Sequence, residues 1–251
     1  MHRHIRVPLA LLAVLTTSLV ACEPSHLRLP GNLVLEEHAL TEPPASDPLS
    51  FHPLAGTQEE ILGQHAVERS KVFPITLSMV DENPALRAPW DGGELVAVLL
   101  TAAGDAPQQS VQLSTDGRVV FTAPAGLPSP VLPLRGLWTY DGHWALEILL
   151  ATPDVWTGQI FVDGELVNQE REYEEAFGFQ MLSGKPFFFY RRGEHVGLSY
   201  DGQEADLEYD NIPHYLCCSE GVLDPTQAEN MVAFFAQHGD TWYYVELGAF
   251  D

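Results

Sequence analysis

The chain reads as an all-β protein with one late α-helix, built from repeated four-stranded antiparallel units in a propeller-like arrangement; a β-sandwich is the alternative. Three observations predict this. A strand-and-turn pattern between Leu134 and Leu207 is written twice. Asp-Gly or Ser-Gly pairs, which suit tight hairpin turns, punctuate the β-forming runs. Proline-rich stretches, rather than helical periodicity, fill the connections.

The first copy runs from Leu137 through Asp141-Gly142, His143 to Ile148, Thr157 to Val162, and Asp163-Gly164 to Val167. The second runs from Phe177 through Ser183-Gly184, Phe187 to Tyr190, His195 to Tyr200, and Asp201-Gly202 to Leu207. Matching turns lie 42 residues apart at Asp141 and Ser183, and 38 apart at Asp163 and Asp201. The difference is a loop around Pro153 to Trp156. The packing hypothesis is that the two copies lie side by side, each covering the other's aromatic flank.

Upstream, residues 57–68 suit a short helix, with Thr57 and Glu60 at capping-box spacing. Val72 to Met79 is a strand interrupted by Pro74. Glu94 to Thr101 is a continuous apolar run, as for a strand covered on both faces. Ser110 to Thr122 is a hairpin around Asp116-Gly117, an earlier and degenerate copy of the repeat. The run Phe187 to Tyr190 implies burial on both faces. Glu204, Asp206, Glu208 and Asp210 alternate with apolar residues, so the acids line one strand face. Asp224 as N-cap, Pro225 at N1 and the stripe Ala228, Met231, Val232, Phe235 predict a helix over 225–238, stopped by Gly239. Thr241 to Leu247 is a final aromatic strand.

The N-terminus predicts the compartment. Arg3 and Arg6 precede an apolar stretch from Val7 to Val20, too short to span a bilayer comfortably. Leu19-Val20-Ala21-Cys22 follows and resembles the lipobox of bacterial lipoproteins. That resemblance implies a signal peptide over 1–21, cleavage before Cys22, and a lipid anchor of diacylglyceryl and palmitate type on its thiol. Two or more acyl chains, at about 0.8 kcal/mol per buried CH₂, hold a protein on a membrane stably. Residues 22–56 then form the lipidated cysteine and a tether rich in proline, and residues 57–251 a single β-repeat domain.

Loss of Arg3 and Arg6 with the leader lowers the formal charge from −23 to −25. So acidic a surface repels phosphate backbones and excludes nucleic acid as a partner. No metal or cofactor motif occurs. Gly-x-Ser-x-Gly, His-Glu-x-x-His and phosphate-binding glycine loops are all missing from the sequence.

Cys217-Cys218 is the sharpest local oddity. With Cys22 lipidated, the pair have only each other as intramolecular partners in an oxidising compartment. A vicinal disulfide would be strained, because adjacent Cα atoms lie about 3.8 Å apart. Two buried thiols are the alternative. Tyr140, His143, Trp144 and His214 are the candidate ligand rim, with Trp144 in a hairpin core as the structural reading. Segments Leu137-Trp138 to His143-Trp144, Gly184 to Phe187, Ile212 to Cys218 and Trp242 to Glu246 resemble uncharacterised bacterial envelope proteins. That resemblance implies a secreted or membrane-attached β protein and carries no activity.

The functional expectation is a lipid-anchored extracytoplasmic binding or scaffolding module in the bacterial cell envelope. It would face a protein or small-molecule ligand and perform no defined catalysis. The alternative is an envelope-polymer hydrolase, with His143 or His214 and carboxylates converging from separate loops.

Overall fold

The computed structural model describes residues 29–44, 78–80, 82–104 and 107–248. The leader, Cys22, the 57–68 helix and most of the Val72 to Met79 strand lie outside the described residues. What is described is almost entirely β, in antiparallel sheets joined by short turns.

The first strand corrects an expectation. β1 (Val34–Ala39) lies inside the stretch read as a tether, yet it pairs antiparallel with the last strand of the chain. Between Pro30 and Pro43 there is no proline, so every amide there can donate. Tyr209 donates a 2.6 Å hydrogen bond to Glu37 and ties this strand to the body.

Three meanders follow. β2 (Ser78–Val80), β3 (Asn83–Trp90), β4 (Gly93–Thr101), β5 (Gln109–Thr115) and β6 (Arg118–Gly126) form the first. β7 (Leu134–Tyr140), β8 (His143–Ala151), β9 (Trp156–Val162) and β10 (Glu165–Leu166) form the second, followed by a single helical turn, α1 (Val167–Glu170). β11 (Glu175–Leu182), β12 (Lys185–Arg192), β13 (His195–Tyr200) and β14 (Gln203–Tyr209) form the third. The second and third meanders have the same strand order, as the repeat predicts. One parallel bridge, Gly126 to Ala151, joins the first two meanders into a nine-stranded sheet, so those two are not separate blades.

The turns follow residue chemistry. Asp116-Gly117, Asp141-Gly142, Asp163-Gly164, Ser183-Gly184 and Asp201-Gly202 all have positive φ at both positions, as a type I′ hairpin turn requires. Asp91-Gly92 has the same geometry, which carries the turn pattern into the first meander.

The predicted late helix does not form. Its place is taken by β15 (Thr226–Gln227) and β16 (Met231–His238), and β16 pairs with β17 (Thr241–Gly248) around Gly239. Asp224 and Pro225 are good local start signals, but every residue from Met231 to Ala236 is buried. A strand between two covering layers accommodates that pattern, whereas an amphipathic helix leaves a polar face. The last sheet runs β1-β17-β16-β15.

Neighbouring meanders pack face to face. Phe187 and Phe189 on β12 face the last sheet through Val232, Phe234 and Val245. Phe188 and Tyr190 face the second meander through Ala145 and Ile160. The run Phe187 to Tyr190 is thus buried on both faces, as expected. β4 differs from expectation: Leu95, Ala97 and Leu99 are buried, while Val96, Val98 and Leu100 are only half-covered.

Candidate functional site

Two β-bulges shape the junction between the second and third meanders. The β7–β8 register slips between Leu134 and Gly136, leaving Arg135 as the extra residue. The β11–β12 register slips between Phe177 and Gln180, at Gly178 with φ +68°. A bulge leaves a residue out of the ladder and re-aims its side chain. Here the two bulges bring Arg135 and the amides of Gly178 and Phe179 to one pocket of about 250 Å³.

Glu147 lies between them, opposite Gly136 on the neighbouring strand and only 4% exposed. Its carboxylate accepts from the Gly178 N–H at 3.1 Å, the Phe179 N–H at 2.7 Å and the Tyr215 hydroxyl at 2.7 Å. A buried charge is tolerable only when so satisfied. The bulge frees the amides, and Glu147 occupies them.

A second carboxylate crosses the same junction. Glu175 accepts from the Gly158 N–H at 2.9 Å and lies 3.2 Å from His214 Nε2. His214 Nδ1 lies 2.6 Å from the Ile212 carbonyl, so both ring nitrogens face acceptors. The imidazole stacks on Phe177 with centroids 3.6 Å apart. Burial works against the Glu175 charge, but the His214 hydrogen bond and charge, the Gly158 amide and Arg191 together hold its carboxyl below the usual range. Asp224 accepts from the Leu216 N–H at 2.9 Å. Burial pushes its carboxyl upward, against the lowering effects of Leu216, Arg135 and His214.

Arg135, like the exposed Arg118, makes no ion pair among the described residues. Arg87, Arg171, Arg191 and Arg192 each reach a carboxylate. Arg135 instead lies over the Tyr215 ring, 5.1 Å from its centroid, with no carboxylate partner among the described residues. Trp138 lines the same pocket, as do Asp224 and Gln227. Its ring folds across Gly136, where a Cβ would collide with the indole.

The predicted rim divides. Tyr140 and His143 are neighbours, with ring centroids 5.8 Å apart, and His143 Nδ1 lies 2.6 Å from Asp163. Tyr140 also lines an open cleft with Trp90 and the turns Asp91-Gly92 and Asp141-Gly142. Trp144 is not on this rim: it is 8% exposed and packs on Phe121 at 5.4 Å, so the hairpin-core reading is the correct one. His214 belongs to the junction pocket and not to this cleft. Cys217 is half-buried at the edge of the main core. The Cys218 side chain lies outside the described residues, so the vicinal bridge stays an expectation.

Sequence reasoning missed Arg135, Glu147, Asp224 and Gln227 as site residues. A lone acid within the apolar run Ala145 to Leu150 was the available signal for Glu147.

No protein-family model matches the chain. No curated protein and no solved structure matches it either. Among the described residues, no helix is long and apolar enough to cross a membrane.

Proposed function

We propose that the protein is a lipid-anchored, extracytoplasmic binding module of the bacterial envelope, held through Cys22 and binding a small polar ligand at the junction pocket. The observation that carries the binding reading is Arg135: a half-buried guanidinium in a cavity, without a carboxylate partner among the described residues, in a chain with 35 acids. Asp224 feels the Arg135 charge but makes no ion pair with it, so among the described residues the guanidinium keeps donors that a ligand can take. The lipobox-like leader supports the anchor.

The hydrolase is the second reading. It draws on the gathering of Glu147 from β8, Glu175 from β11, and His214 and Asp224 from the segment between β14 and β15, in and around one pocket. Against it, Glu147 already accepts three hydrogen bonds and His214 faces acceptors at both nitrogens. A general acid or base must have a proton position open to substrate.

Two measurements test the proposal. Metabolic labelling with a palmitate analogue should mark the wild type and not Cys22→Ser, which should leave the membrane fraction; equal labelling of both would end the anchor. Incubation of the purified chain with isolated envelope polymers should release no reducing ends or free amines. Release that disappears in Asp224→Asn would favour the hydrolase.

A further inference from the structure

We infer that the junction pocket takes an acidic sugar, a pyranose carrying a carboxylate, with Arg135 on the carboxylate and the uncovered part of Trp138 against the sugar ring. This rests on the binding reading above and names its ligand class.

Four features of the pocket lead there. The guanidinium of Arg135 is a rigid fork matched to a carboxylate, and its other face is occupied by the Tyr215 ring. The β7 bulge fixes where that fork points. Trp138 lies folded over Gly136, packs on Phe179 with ring centroids 4.9 Å apart and is only half-buried, so the uncovered part of its indole lines the same wall. Asp224, just before β15, and Gln227, on it, supply a hydroxyl acceptor and a planar amide. The Gln227 Nε2 makes only a long 3.4 Å contact to the Phe179 carbonyl.

Size narrows the class. A volume of about 250 Å³ falls below the roughly 300–1,000 Å³ of pockets for drug-sized ligands. One ring with a short substituent fits it; an extended chain does not. A neutral sugar would leave Arg135 unpaired after desolvation, which costs more than the contact gains. A bare carboxylate would leave Trp138, Asp224 and Gln227 unused. Phosphate and nucleotide ligands carry two or more negative charges, which Glu147 and Asp224 in the same wall oppose more strongly than the single charge of a carboxylate that Arg135 can match.

The test is calorimetric titration of the full chain in detergent with D-glucuronate, D-glucose and glycine, repeated with Arg135→Met and Trp138→Ala. D-Glucuronate should bind at least about tenfold more tightly than D-glucose, which lacks the charge-assisted pair, or than glycine, which keeps a carboxylate but lacks the ring and its hydroxyls. Arg135→Met should erase that preference while leaving the melting temperature close to wild type. Trp138→Ala should weaken glucuronate as well. Equal binding of glucose and glucuronate, or an unchanged preference in Arg135→Met, would overturn the acidic-sugar class and leave the pocket as a binding site. Binding of glycine alone would do the same. No heat with any probe would overturn both the class and the pocket.

Discussion

The Tyr215 hydroxyl donates a 2.7 Å hydrogen bond to the Glu147 carboxylate across 68 residues of chain, and both side chains are buried. Glu147 stands on β8, so this contact ties the second meander to the loop after the third. Burial and the neighbouring Glu147 charge push the Tyr215 phenol well above its ordinary value. Tyr215→Phe removes one of three donors from a buried carboxylate. We expect a loss of about 1–3 kcal/mol in urea unfolding, and no change would mean that water replaces the hydroxyl.

Gly158→Ala should be among the most damaging single substitutions. A Cβ there would stand 2.5 Å from the Ala176 carbonyl oxygen and 2.5 Å from the Tyr215 hydroxyl. The first is backbone and cannot rotate away. Overpacking of this kind costs about 1–3 kcal/mol or more, read as a lowered denaturation midpoint at unchanged slope. Gly136→Ala should instead move the Trp138 ring, a side chain, and so weaken ligand binding more than stability.

Gln180 is fully buried, and neither its Oε1 nor its Nε2 has a partner among the described residues. Gln180→Met keeps the length and removes the orphaned amide. It should raise stability by about 1 kcal/mol. A loss of stability on this substitution would mean that the amide is satisfied in solution.

Glu175 gives the acid limb of the stability profile. Its folded pKa lies below its ordinary 4.5, so its contribution is present above that value and is lost as pH falls through the folded one. Glu175→Gln should flatten the decline of stability below pH 4.5. Asp224 has the opposite sign: its folded pKa lies above its ordinary 3.8, so folding is penalised as pH rises through the folded value. Asp224→Asn retains the acceptor for the Leu216 amide. It should raise the melting temperature at neutral pH, lose that advantage near pH 3, and weaken ligand binding.

The turns were legible in the sequence because Asp-Gly and Ser-Gly carry their own conformational preference, and that preference fixed where the strands reverse. The duplicated meander was legible for the same reason. Two elements were not. β16 was hidden because Asp224 and Pro225 are local signals, while the pairing of Met231–His238 with Thr241–Gly248 is decided by covering layers distant in sequence. β1 was hidden because proline on both sides masked a proline-free stretch, and its partner lies at the other end of the chain. The site was largely illegible. Arg135 and Gly178 line one pocket only because two bulges displace them; a glycine inside a strand run was the available signal for the second bulge, while Arg135 carries none for the first.

Amide and indole NMR shifts, followed while the full chain is titrated with D-glucuronate, test most directly where ligand binds. The Trp138 indole N–H and the amides of Gly136 and Gly178 should move first and saturate together, with Arg135→Met abolishing the movement. Shifts confined to Asp91-Gly92, Tyr140 and His143, with the junction silent, would contradict binding at the junction.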